Sequence, residues 1–173
     1  FRDGCTAVAW ERVNARRLLL TNLYWEGDFV TLAALVPTIL ADAERRGDRY
    51  EALVVRGFFS VLVQLARGDL ARASDDVAHA AAIVGSSQPR LYDTYRLLGA
   101  CQLHLHRGAP ADAARTIAGE WDGLVRAQTL RMTAARVLLA DLRGRVALLS
   151  GGGTWLAWRG RGCAAREARV LAH

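Results

Sequence analysis

The sequence predicts an all-α fold, a right-handed superhelix of about four antiparallel helical hairpins, and three observations lead to it. Four glycines, Gly27, Gly68, Gly108 and Gly151, recur at separations of 41, 40 and 43 residues, and a fixed period of that length marks stacked supersecondary units. Between them, apolar residues step at the three- and four-residue intervals of a helix. Asp28 follows Gly27 as Asp69 follows Gly68, which sets a carboxylate N-cap directly behind a left-handed, helix-ending glycine. In such an α-solenoid each hairpin buries its apolar face only against its neighbours, so the fold produces an extended surface rather than a catalytic pocket.

Each element has its own reason. Ala9, Val13, Arg16 or Arg17, Leu20 and Tyr24 keep helical spacing and predict a first helix from about Cys5 to Trp25, stopped by Gly27. A second spans about Phe29 to Arg46, where Pro37 is expected to bend the helix by removing one hydrogen bond. Helices over about Arg49 to Arg67 and Leu70 to Val84 repeat the plan, the latter with a stripe of Leu70, Ala73, Val77, Ala80 or Ala81, and Val84. The fifth and sixth cover about Leu91 to His106 and Pro110 to Ala127. Pro110 suits a first helical turn, where its missing N–H costs nothing, and Ile117, Trp121 and Leu124 or Val125 form the inner face. A seventh helix, Leu130 to Leu149, ends at Gly151, and an eighth is expected from Trp155 onward, weakened by Gly160 and Gly162. The repeats are therefore about 5–46, 49–84, 91–127 and 130–172. The chain reads as one helical-repeat domain over residues 1–173, a fragment of a longer protein, because Phe1 and His173 both look like cuts.

Composition narrows the function more by exclusion than by signal. All 23 basic residues among the 173 are arginine, beside 31 alanines. That bias matches GC-rich bacterial coding, so the net charge of +6 does not by itself describe a basic face. The arginines lie scattered among acids from Arg2 to Arg169, whereas nucleic-acid binding requires them clustered on one face; no nucleic-acid partner is expected. Without lysine, the phosphate-gripping Lys of a P-loop, the kinase strand Lys and every Schiff-base mechanism are excluded. Three separated cysteines, Cys5, Cys101 and Cys163, argue against a disulfide framework and for a reducing, cytoplasmic setting. The longest apolar run, Leu53 to Ala66, is 14 residues and is broken by Arg56 and Gly57, short of the roughly 20 a bilayer requires.

Candidate chemical groupings fail on geometry. His104 and His106 lie about 200° apart around a helix and cannot share a metal. Cys101 and His104 are better spaced, but two ligands do not make a zinc site. Asp75-Asp76 and Glu44 with Asp48 read as solvated charges or caps. Trp25, Trp121, Tyr24, Tyr92 and Tyr95 could line a peptide groove, although core packing is the simpler account. Arg16-Arg17, Arg45-Arg46 and Arg67 are of the type that grips an acidic or phosphorylated partner, or else form solvated faces. Neither catalytic residues, a metal nor a cofactor is assigned.

Within the repeats, alanine falls five residues after the turn glycine at Ala73 and Ala113, and small residues sit seven before it at Cys101 and Gly144. This turn resembles that of tetratricopeptide repeats, from which Leu20, Val61 and the longer period depart. Whole phrases, Tyr24-Trp25-Glu26-Gly27-Asp28-Phe29, Val36-Pro37-Thr38-Ile39-Leu40 through Glu44-Arg45-Arg46-Gly47-Asp48, and Gln102-Leu103-His104-Leu105-His106-Arg107-Gly108, with Glu120-Trp121 and the helix after Leu130, carry a more specific likeness. Over about residues 15 to 150 they resemble the C-terminal helical region of large bacterial serine/threonine protein kinases. The resemblance implies a non-catalytic interaction or regulatory scaffold for a protein or peptide partner, with a kinase or ATPase domain as covalent neighbour. His106-Arg107-Gly108 lacks the aspartate of a kinase catalytic loop, so no kinase residue is carried over. A ligand-sensing domain of a signalling ATPase or transcription regulator is the alternative.

Overall fold

The structure is a computed structural model that describes residues 9–84 and 93–150. Every described element is helical, and the chain divides into two compact units, Phe1–Ile83 and Val84–His173. The first holds α1 (Ala9–Glu26), α2 (Phe29–Arg45), α3 (Arg49–Val54), a π-helical segment (Val55–Ser60), α4 (Val61–Ala66) and α5, which ends one residue past the division (Leu70–Val84). The second holds α6 (Asp93–His106), α7 (Pro110–Arg126), a short 3-10 turn (Thr129–Arg131) and α8 (Thr133–Leu149). The expected eighth helix and the turn at Gly151 lie outside the described residues.

The turns explain why helices follow one another almost without loops. Gly27, Gly47, Gly68 and Gly108 have φ of 74°, 66°, 75° and 69°, a conformation open to glycine because it lacks a Cβ. At each, the glycine N–H and the next N–H bond back to the carbonyls that the helix end leaves unpaired, as in Gly27 to Tyr24 (3.2 Å) and Asp28 to Leu23 (3.0 Å). Asp28, Asp48 and Asp69 then turn round to cap the next helix: their Oδ1 atoms accept from the amides of Thr31 (2.9 Å), Glu51 (2.9 Å) and Arg72 (3.0 Å). One Gly-Asp pair thus closes one helix and opens another. After Gly108 the cap position is Ala109, with no side-chain bond, and Pro110 takes the first turn.

In the first unit α1 packs on α2, and α2 lies against α3, the π segment and α4. The central helix formed by α3, the π segment and α4 is apolar nearly all round, with Leu53, Val54, Phe58, Phe59, Val61 and Val63 buried, as befits a core helix. The sequence predicts a single helix over Arg49 to Arg67; the structure inserts a π turn at Val55–Ser60. Leu20, Leu32, Val36 and Ile39 complete this core, and α2 runs through Pro37 without a loop.

The predicted stripe of α5 is rotated in the structure. Ala73, Asp76 and Ala80 are buried, while Leu70 is partly exposed and Ala81 faces water. The bonds that Asp76 makes to the central helix hold this register, and they outweigh the apolar preference of Leu70.

In the second unit α6 packs on α7 and α8, and α7 on α8. Leu97, Leu98, Cys101, Ala113, Ile117, Leu124, Leu139 and Leu142 fill its centre. Val125, offered as an inner residue, is 50% exposed, and Leu124 takes the place. The break between α7 and α8 uses Gln128 at φ 56°, a left-handed position that composition did not flag.

Candidate functional site

Two polar constructions stand out, and both belong to the first unit. At the junction of α1, α2 and α3 lies a cluster of ion pairs. Arg16 Nη1 donates to Asp42 Oδ2 at 2.7 Å and reaches Glu51 Oε1 at 3.4 Å. Arg46 bonds the same two acids, at 3.2 Å to Asp42 and directly to Glu51, and reaches Asp48 at 3.2 Å. Arg45 pairs with Asp42 as well. Three arginines meet three carboxylates, so the cluster is neutral, and Glu51 is only 2% exposed. The hydrogen bond from Arg16, with the Arg46 charge beside it, holds the Asp42 carboxyl at about 2, well below the ordinary aspartate range. Arg16 and Arg46 are therefore engaged within the chain, while Arg45, though paired with Asp42, stays 73% exposed.

The second construction is a cleft of about 320 Å³, at the lower end of the roughly 300–1,000 Å³ typical of small-molecule sites. On α2 its wall is Val36, Pro37 and Leu40; on α5 it is Arg72, Asp75, Asp76 and His79, which share one helical stripe. Between them the central helix contributes Arg56, Ser60, Val63, Gln64 and Arg67. The π turn supplies two of these, Arg56 and Ser60, and such wide turns recur at functional positions.

One end of the cleft is internally satisfied. Ser60 Oγ donates to Asp76 Oδ2 at 2.6 Å, Arg56 donates to the other oxygen of Asp76 at 3.0 Å, and the remaining arm of Arg56 pairs with Glu44. The Ser60 hydroxyl proton is thereby committed to a carboxylate that an arginine already neutralises, an arrangement suited to fixing α5 against the core rather than to nucleophilic attack.

The rest of the cleft is open. Arg67 and Asp75 are exposed and have no side-chain hydrogen bond or ion pair among the described residues. Arg72 meets only Asp69, at 3.4 Å and largely in water. His79 Nδ1 donates to the Asp75 carbonyl at 2.8 Å, which leaves Nε2 as the acceptor of the neutral ring. Gln64 Oε1 is buried without a hydrogen-bond partner.

The remaining candidates have structural surroundings. Cys101 is buried, and burial, with the charge of Glu120, pushes its thiol up to about 12. It stays protonated at neutral pH and is inert as a nucleophile or ligand. Tyr95 is buried; Tyr24 packs edge-on to Phe58 at 5.3 Å; Arg143 covers the Trp121 ring at 4.2 Å. Trp25 is 48% exposed, and Tyr92 lies outside the described residues. The turn residues Gly27, Asp28, Gly68, Asp69, Gly108 and Pro110 sit at helix junctions, where the hydroxyl of Thr31, and then its amide, lower the Asp28 pKa. Among the described residues no group of three His, Cys, Asp or Glu is placed to hold a metal ion, and no helix is long and apolar enough to cross a membrane.

No family model, curated protein or solved structure matches this chain.

Proposed function

We propose that the chain is a non-catalytic interaction or regulatory scaffold, a tetratricopeptide-like, right-handed superhelix of about four hairpins. In this reading it serves a cytoplasmic signalling protein of the bacterial serine/threonine kinase class that its sequence phrases resemble. The observation that carries the reading is the recurrence of one turn. Four helix ends close on a left-handed glycine with the same pair of backbone bonds, and three reopen on an aspartate cap. That economy of connection suits hairpins stacked side by side. A protein or peptide partner would lie along the helices, and a kinase or ATPase domain would be the covalent neighbour.

Two experiments test this. The purified chain should transfer no phosphate from ATP to a protein substrate; authentic turnover overturns the scaffold reading. The flanking coding sequence should contain a glycine-rich loop, a strand lysine, His-Arg-Asp and Asp-Phe-Gly; a P-loop ATPase there instead discards the kinase assignment.

A second reading, a ligand-sensing helical domain of a signalling ATPase or transcription regulator, is favoured by the cleft of α2, α4 and α5 with its unpaired charges. Thermal-shift screening with metabolites tests it. A stabilising compound whose effect disappears on Arg67→Gln supports it, and the absence of any shift counts against it.

A further inference from the structure

We propose that the cleft between α2, α4 and α5 binds a small zwitterion of the α-amino-acid class with an apolar side chain. The inference rests on the ligand-sensing reading and names its ligand. The groups left free or only loosely paired in water decide the chemistry. Arg67, at the end of α4, and Arg72, in the first turn of α5, offer guanidinium donors at the same end of the cleft. Asp75, one turn further along α5, offers a carboxylate with no cation of its own. Residues three apart on a helix stand about 5–6 Å from each other at their Cβ atoms, so opposite charges are presented side by side, on the scale at which an amino acid carries its own.

A simple anion such as phosphate would gain from Arg67 and Arg72 but would face the unpaired Asp75 carboxylate. An amine would meet the reverse penalty. A ligand with both charges satisfies all three residues, and like-charge opposition excludes the others. Gln64, which lines the cleft, contributes the second observation: its Oε1 is buried with no donor, a deficit that a ligand ammonium would make good. The wall of Val36, Pro37, Leu40 and Val63 then takes an aliphatic side chain.

The test is calorimetric titration of the whole chain with leucine, valine and phenylalanine. 4-Methylpentanoate, isoamylamine and inorganic phosphate serve as probes with one kind of charge. An aliphatic amino acid should bind in the roughly 10 μM to 1 mM range, and each probe at least about tenfold more weakly. Arg67→Gln and Asp75→Asn, both at exposed positions, should each weaken binding by about tenfold or more, with the circular-dichroism melt unchanged. The proposal is overturned by equal binding of 4-methylpentanoate, isoamylamine or phosphate, or by amino-acid affinity indifferent to both substitutions. If a compound of another class binds and Arg67→Gln abolishes it, the zwitterion fails while ligand sensing survives. If neither amino acids nor any screened metabolite binds, both fall.

Discussion

Asp42 accepts hydrogen bonds from arginines on two helices, and its acidity records that. Because its pKa is lower in the folded chain than in the unfolded one, its contribution is complete above the ordinary aspartate value and is lost as pH falls toward about 2. Denaturant unfolding should therefore show stability declining between about pH 4 and pH 2, and Asp42→Asn should flatten that decline. At pH 7 the substitution should cost more than the roughly 0.2–1 kcal/mol of an exposed pair and less than the roughly 3–5 kcal/mol of breaking a buried one. Identical pH profiles for the two proteins would remove Asp42 from this role. None of this was legible in the sequence. Arg16, Asp42 and Glu51 lie on three helices, so the pairing that neutralises them is tertiary, and Arg45-Arg46 alone reads as an outward-facing basic pair.

At the scale of elements, the helix boundaries were legible because a glycine and a capping aspartate leave a local mark. Gly47-Asp48 obeys the same chemistry as Gly27-Asp28 and Gly68-Asp69. The π turn at Val55–Ser60 left no such mark, since Val-Arg-Gly-Phe-Phe-Ser fits an α-helix equally well by periodicity. On α5, Ala73 and Ala80 of the expected stripe are buried and Leu70 is not, and Asp76 joins them because Ser60 and Arg56 hold it inside, bonds that hydropathy does not encode. On α7 the sequence offered adjacent residues, Leu124 and Val125, and packing chose the first. Ile117→Ala, like Leu103→Ala on α6, should cost on the order of 2–5 kcal/mol by leaving a cavity. Val125→Ala should stay within about 0.5 kcal/mol. Urea titrations of the three variants would decide the register, and an equal loss at Ile117 and Val125 would refute it.

For the whole molecule, the sequence led to an all-helical chain, and the described residues are all-helical. The cleft was legible only as scattered pieces, Arg67 and Asp75-Asp76, because the π turn and α2 that complete it lie elsewhere in the chain. Each compact unit has its own set of buried residues. Residues 1–84 expressed alone should keep a helical circular-dichroism spectrum and a cooperative urea transition. The slope of that transition should be lower than for the whole chain, in proportion to the surface exposed; a non-cooperative melt would show that the unit is not self-sufficient. Here Arg16 reaches from α1 to Asp42 and Glu51, so loss of α1 would leave Asp42, Asp48 and Glu51 facing two arginines, Arg45 and Arg46, with an uncompensated negative charge beside the buried Glu51.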